Sequence, residues 1–282
     1  MMEENLTRLR QRLEQFSSAV IAFSGGVDST FLARVAKDVY GDKLLLITAT
    51  SSTYPFYELE EAKSLAVLLG IRHMIIVSEE LEIPGYSENP PDRCYYCKSE
   101  LFSKLKFIAD RDGFDVVFDG SNADDMNDFR PGMKAKQKYG VISPLSEAGI
   151  NKEEIRQLSA EYNLPTANKQ SYACLASRFP YGEKITKEKL DRVGTAEFEI
   201  RKLAFTQFRI RSHDNLARLE FLTAEMDNAW LQRDCLTDIC RSAGFSYVTI
   251  DLSGYRTGSM NEVLPDELKI SWQEKDSNSL NL

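Results

Sequence analysis

Residues 19–31 read Ala-Val-Ile-Ala-Phe-Ser-Gly-Gly-Val-Asp-Ser-Thr-Phe, and this stretch decides the fold. The apolar run from Ala19 to Phe23 has the make-up of a buried parallel strand. It breaks at Ser24-Gly25-Gly26, and the apolar spacing of a helix resumes through Phe31, Leu32 and Val35. A glycine-rich turn between a strand and a helix aims backbone N–H groups and the positive end of the helix dipole at one spot, a cradle for phosphate. Ser24, Ser29 and Thr30 add hydroxyl donors, and Asp28 is placed to hold a magnesium ion on the phosphates. An ordinary tight turn with capping serines demands less than Gly-Gly flanked by Ser and by Asp-Ser.

No lysine follows the glycines as in GxxxxGK[ST], and the GxGxxG spacing is absent. The turn instead resembles the SGGxDS signature of the PP-loop pyrophosphatases, which split ATP between its α and β phosphates. That resemblance implies AMP-forming chemistry and leaves the acceptor unnamed.

A short amphipathic helix at 5–15 leads into the first strand. Apolar stretches recur at 44–49, 73–77 and 115–118, with helical patterns between them at 29–39, 56–69 and 98–111. Strands and helices alternating at this spacing predict an α/β fold with a doubly wound parallel sheet. Ligands of such sheets bind beyond the carboxyl ends of the strands. Here those ends are Ser24–Gly26, Thr48–Ser52, Val77–Glu80 and Asp119–Asp125. A helix starting at Asn151, with Glu154 as its capping-box partner, should stop before Pro165. Residues 1–165 form the predicted PP-loop domain, and 166–183, polar and punctuated by Pro180 and Gly182, the connection. Residues 184–282 change character: helix near 187–203, strands at 206–211 and 216–221, helix at 225–243, strand at 246–251. They predict a smaller α+β domain for substrate binding or oligomerisation, ending in a polar tail, 274–282, expected to be disordered.

At 282 residues the chain is long enough for two cores. Its 43% hydrophobic and 28% charged residues are those of a soluble globular protein. A net charge of −8 weighs against a broad nucleic-acid footprint. The local basic run Lys134, Lys136 and Lys138 suits either a small anionic ligand or a solvated loop. No secretory signal and no stretch of transmembrane length are read in the sequence. Five cysteines, an odd number without a disulfide-like spacing, point together with an ATP loop to a reducing cytoplasm.

Cys94 and Cys97 form a CxxC pair at the start of a helix, compatible with zinc, a redox disulfide or an iron–sulfur cluster. Packing beneath Tyr95 and Tyr96 is the plainer reading. A structural zinc wants four ligands, and His73 and His213 sit in strand-like stretches far from the pair in sequence. Counting Cys174, three thiolates suit a [4Fe–4S] cluster with one iron left open. Cys174 lies in the connecting segment near Arg178, which would stabilise a thiolate; a buried inert thiol is the alternative. Cys235 and Cys240, five apart on a helix, point to different faces and carry no chemistry.

Four segments then occur in the order found in the LarE family, the sulfur-inserting enzymes of nickel-pincer cofactor synthesis. They are residues 22–30 around the ATP turn, Arg130-Pro131-Gly132-Met133-Lys134-Ala135, Ser177-Arg178-Phe179-Pro180-Tyr181-Gly182 and Gly254-Tyr255-Arg256-Thr257-Gly258-Ser259-Met260-Asn261. The resemblance spans almost the whole chain. It implies that ATP and magnesium adenylate a carboxylate of pyridinium-3,5-biscarboxylic acid mononucleotide, after which sulfur displaces AMP. Cys174 matches the position of a donor cysteine that, in one branch, gives up its sulfur and becomes dehydroalanine. Cys94 and Cys97 match instead a three-cysteine branch in which Cys94, Cys97 and Cys174 hold a [4Fe–4S] cluster carrying an extra sulfide.

On this reading Ser24, Gly25, Gly26, Asp28, Ser29 and Thr30 cradle the phosphates, and the backbone near Thr48 and Thr50 meets the adenine. Gly120 and Asp124 belong to the second nucleotide loop, Asp124 joining Asp28 at magnesium. Arg178, Arg209, Arg211 and Arg256 are candidates for the substrate phosphate, Arg209 and Arg211 sharing one strand face. The family also implies a homo-oligomer, as a hexamer. The rival enzyme readings are amide synthesis, for which the sequence shows no glutaminase segment, and tRNA thiolation, which the acidic charge disfavours. A non-catalytic ATP-binding sulfur carrier is the rival from another class.

Overall fold

The computed structural model describes residues 2–262 and 265, except residues 79, 128–131, 171 and 257. The tail 274–282, Arg130-Pro131 and Thr257 of the family segments therefore lie outside the described residues. The chain forms two compact units, residues 1–80 with 92–172, and residues 81–91 with 173–282.

In the first unit, β1 (Ala19–Ala22), β2 (Leu44–Thr50), β3 (Arg72–Val77) and β4 (Val116–Phe118) form a sheet in the order β3-β2-β1-β4. All neighbours are parallel, with Ala19 opposite both Leu44 and Val116. The apolar runs are unbroken because alternate residues enter different cores. Ala19, Ile21, Leu44 and Phe118 meet α1 (Met2–Leu13), α2 (Val27–Tyr40), α3 (Phe56–Leu69) and α7 (Lys152–Glu161) through Leu9, Phe31, Leu65 and Ile155. Val20, Leu45, Ile47 and Val117 face α4 (Arg93–Asp112) and α5 (Gly132–Tyr139) through Phe102, Leu105 and Ala135. Helices on both faces make this a doubly wound sheet, as the alternation predicts.

The expected capping box closes the start of α7: Glu154 N–H donates to Asn151 Oδ1 at 2.9 Å, and Asn151 N–H to Glu154 Oε2 at 3.1 Å. Two elements differ from expectation. The basic run lies on α5, an eight-residue helix with Ala135 buried and Lys134 and Lys138 exposed; a short α6 (Pro144–Glu147) follows. Its one apolar contact per turn is too weak a period to read from sequence.

In the second unit, α8 (Lys187–Arg201) precedes β5 (Phe208–His213), β6 (Leu216–Phe221) and β7 (Tyr247–Ile250), ordered β5-β6-β7. β5 and β6 are antiparallel, with Arg209 opposite Glu220, and β6 and β7 are parallel. The helix expected over 225–243 is two, α9 (Met226–Leu231) and α10 (Arg233–Ser242), because the chain turns at Gln232 (φ −95°, ψ 11°). Trp230 and Leu231 are exposed there, so no continuous apolar stripe holds one helix together. The 81–91 segment is tied to this unit by its backbone, Gly182 N–H donating to Asn89 O and Ile185 N–H to Ser87 O. The result is an α/β protein with a parallel sheet and a smaller C-terminal α+β unit. Among the described residues no helix is long and apolar enough to cross a membrane.

Candidate functional site

The turn after β1 is built by glycine. Gly25 has φ +66°, and a Cβ there would stand 3.1 Å from the Cα of Ala62 on α3. Left-handed backbone and close approach both disfavour a side chain there. Gly26 is the N-cap of α2 and no side chain caps that helix, so first-turn N–H groups keep no intrahelical acceptor. Ser24 and Ser29 face each other with hydroxyls 3.2 Å apart. Gly26 N–H donates to Ser24 Oγ, and Ser29 Oγ to the Gly26 carbonyl. Thr30 is fully buried, with its hydroxyl unpartnered. Ser24 is exposed at the carboxyl end of β1, whereas Ser29 and Thr30 are buried behind it.

Asp28 sits one residue inside α2. Its Oδ2 accepts from Lys152 Nζ at 2.5 Å and its Oδ1 from Asn122 Nδ2 at 3.3 Å. Asp124 is exposed and accepts from the Lys152 backbone N–H at 2.9 Å. The two candidate magnesium carboxylates thus meet at the start of α7. Gly120 brings their loop against α2: a Cβ there would lie 3.1 Å from Ser29 N. The Thr48 side chain is committed, donating to the Phe23 carbonyl at 2.6 Å and meeting His73 Nε2 at 2.8 Å. Burial and nearby Lys63 keep the His73 imidazole below its ordinary value. Thr50 is half-buried at the strand end.

Three groups missed in the sequence complete the turn. Lys169 Nζ donates to the Gly25 carbonyl at 3.1 Å and pairs with Glu58 at 2.8 Å and Glu61 at 3.0 Å. Tyr54 Oη donates to the Ser24 carbonyl at 2.8 Å. Lys152 follows the capping residue Asn151, which was the one available signal; Lys169 had none, falling in a stretch read as a connection.

The CxxC pair opens α4, Cys94 exposed and Cys97 half-buried, one turn apart on one helix face. Cys97 Sγ donates to Glu80 Oε1 at 3.2 Å, while Glu80 Oε2 accepts from Ser51 at 2.6 Å and Thr53 at 2.7 Å. Among the described residues no three Cys, His, Asp or Glu side chains gather to hold a metal ion. Within this unit the pair brings two soft thiols onto one helical turn.

In the second unit, Cys174 is half-buried and leads a short turn, Leu175–Arg178. Its carbonyl accepts from Ser177 N–H at 2.9 Å and Ser177 Oγ at 2.8 Å. Arg178 is fully buried and forked onto Glu197, at 2.7 and 2.9 Å, and it also donates to the Ala173 carbonyl at 3.0 Å. Burial would raise the Glu197 carboxyl, but Arg178, Arg209 and the Ile210 N–H hold it below the usual range. The Arg178 guanidinium thereby fixes the backbone that presents Cys174. Arg209 and Arg211 do share a strand face. Arg211 binds Glu220 at 2.8 Å and Ser259 at 3.0 Å, and Arg209 stacks 5.3 Å from the Tyr255 ring centroid. Burial and neighbouring Arg178 push Arg209 below its usual value. Arg256 is the more exposed fork, on Glu262 at 3.1 Å.

Residues 7–243 match the asparagine synthase family. An uncharacterized protein of Synechocystis is 46% identical over 267 residues, 94% of this chain and 99% of its own length. The pyridinium-3,5-bisthiocarboxylic acid mononucleotide synthase of Lactiplantibacillus plantarum is 37% identical over 253 residues, 89% of this chain and 92% of its own. An uncharacterized protein of Methanocaldococcus jannaschii is 27% identical over 257 residues, 90% of this chain and 98% of its own. A glycine-built turn on a parallel sheet, in a chain matched over 89% of its length by the L. plantarum enzyme, goes with membership of the asparagine synthase (PP-loop) family and, within it, of the LarE family, to which this chain belongs.

Proposed function

We propose that the chain is an AMP-forming, ATP-dependent sulfurtransferase that converts a carboxylate of pyridinium-3,5-biscarboxylic acid mononucleotide to a thiocarboxylate for a nickel-pincer cofactor. The observation that supports it most is the turn from Ser24 to Thr30, with uncapped first-turn N–H groups on α2 and the exposed Ser24 hydroxyl facing Ser29. Magnesium ATP is the substrate there, its phosphates on Ser24, Gly25, Gly26, Ser29 and Thr30 and its metal on Asp28 and Asp124. Lys152 now answers the charge of Asp28 and is released toward the phosphates when a divalent cation replaces it. The adenine lies along the backbone at Thr48 and Thr50, and Gly120 keeps the second loop against the first.

A carboxylate oxygen of the acceptor attacks the α-phosphorus, the bond to the bridging oxygen breaks, and pyrophosphate leaves with the electron pair. The carboxylate becomes a mixed anhydride whose leaving group is AMP. Sulfur then adds to the carbonyl carbon and the C–O bond to AMP breaks. Arg178 and Glu197 hold the turn that presents Cys174. Arg209, Arg211 and Arg256 are the forks offered to the substrate phosphate, as part of a homo-oligomer. Cys94, Cys97 and Cys174 would hold a [4Fe–4S] cluster, which supplies an exchangeable sulfide when bound.

A second reading makes Cys174 itself the donor, on the turn whose backbone Arg178 and Ser177 hold by hydrogen bonds to the Ala173 and Cys174 carbonyls. Its thiolate adds to the anhydride, and removal of its α-proton breaks the Cβ–S bond to leave dehydroalanine.

The test is anaerobic turnover of the full chain with ATP, magnesium and the biscarboxylate mononucleotide, followed by mass spectrometry of substrate and protein. Replacement of one substrate oxygen by sulfur is expected, and an unchanged substrate would overturn the proposal. About four iron and four labile sulfide per chain, lost in Cys94→Ala, would assign the sulfur to the cluster. Loss of one H₂S at Cys174 without iron would assign it to the cysteine.

A further inference from the structure

Beside the nucleotide turn, within the first unit, lies a cavity of about 460 Å³ that the phosphate chemistry does not use. Ser121, Asn122 and Ser143 form part of its wall, Met133, Val141 and Ile142 an apolar part, and Lys98 and Lys136 its cations. Its size and its mixture of apolar wall and few convergent polar groups are those of a small-molecule site.

The two lysines differ. Lys136 is answered: its Nζ lies 3.5 Å from the buried Asp119 and donates to Ser143 at 2.8 Å and Ser121 at 3.1 Å. Of the other carboxylates at the wall, Glu147 is paired with Arg12 at 2.6 Å and Asp125 accepts from the Asn122 N–H at 3.0 Å. Lys98 also acts on the buried Asp119 by its charge but has no carboxylate at ion-pair distance among the described residues; its Nζ stands 5.7 Å from the Phe102 ring centroid. Its stem is clamped by α5, since a Cβ at Gly132 would collide with Lys98 Cδ. A half-buried ammonium held in place at an apolar-walled cavity, with no described carboxylate in contact, is a receptor for an anion. Asn122 lines the cavity and also donates to Asp28, so the space adjoins the magnesium end of the phosphate site.

We propose that this cavity seats the acceptor as a heteroaromatic carboxylate, with the ring against Met133, Val141 and Ile142 and one carboxylate on Lys98. The choice of acceptor rests on the sulfur-transfer reading; the cavity and its lysine do not. Phosphate alone would use the lysines and hydroxyls but leave the apolar wall empty.

The test uses the full-length protein and pyridine-3,5-dicarboxylate as probe, with inorganic phosphate for comparison. Lys98 modification by an amine-reactive reagent is followed by peptide mass spectrometry, so no variant is needed for the first reading. The dicarboxylate is expected to slow labelling of Lys98 but not of Lys134 or Lys138. Lys98→Met, which keeps the stem over Gly132, is expected to bind the probe roughly 10-fold or more weakly, with binding of a non-hydrolysable ATP analogue unchanged and Lys98→Arg largely restoring the probe. No protection, protection by phosphate alone, or wild-type probe affinity in Lys98→Met would each overturn the proposal. Protection of Lys98 in a protein that forms no thiocarboxylate would support the cavity while removing the sulfur-transfer reading.

Discussion

Gly25 shows how much of the site rests on a backbone that no side chain reproduces. Gly25→Ala forces an L-residue to φ +66° and sets its Cβ 3.1 Å from Ala62. The left-handed conformation alone costs about 1–2 kcal/mol, and α3 must also yield. A lowered urea midpoint together with lost ATP-analogue binding is expected; a wild-type midpoint would contradict it. The cysteines separate just as sharply. Cys94 and Cys235 are exposed, whereas burial pushes the Cys240 thiol up to about 12. A thiol reagent at neutral pH should therefore label Cys94 and Cys235 in the native protein and reach Cys240 only after denaturation, as counted by mass spectrometry. Rapid native labelling of Cys240 would contradict its burial. The opposite faces of Cys235 and Cys240 were legible from spacing alone, because helical periodicity is local.

Between elements, the buried fork of Arg178 on Glu197 ties the Cys174 turn to α8. Glu197→Gln leaves that guanidinium buried without its counter-charge, and a loss of about 3–5 kcal/mol is expected in denaturant unfolding. The pair also sets an acid limit. The Glu197 carboxyl lies lower in the folded chain than in the unfolded one, so its contribution is complete above the unfolded value of about 4.3. It is lost as pH falls through the folded value. Urea midpoints should thus drop below about pH 4.5 in the wild type and less steeply in Glu197→Gln; equal slopes would contradict the assignment. At α7 the capping box predicts a loss of about 1 kcal/mol for Asn151→Ala, read as a fall in Tm. That box was visible in sequence because its partners are three residues apart. α5 was not, since its stability comes from packing Ala135 and Gly132 against α4 rather than from a stripe of its own.

Across the whole molecule, what the sequence disclosed is what is contiguous along the chain: the strand, the glycine turn and the first turn of α2. What it hid arrives by tertiary packing. Lys152 reaches Asp28 across 124 residues and Lys169 reaches Gly25 across 144; the cap at Asn151 marks the place of Lys152 on α7 but not its partner, and nothing local marks Lys169. The parallel sheet was legible because burial on both faces removes polar residues from the heart of the sheet, whereas the association of residues 81–91 with the second unit depends on backbone hydrogen bonds to Gly182 and Ile185. AMP-forming activation of a carboxylate at the turn after β1 is read out by ³¹P NMR of ATP and magnesium incubated with the full chain, with and without the biscarboxylate mononucleotide. AMP and pyrophosphate in equal amounts, formed only when the acceptor is present, are the expected products. ADP and phosphate, or pyrophosphate release indifferent to the acceptor, would contradict it.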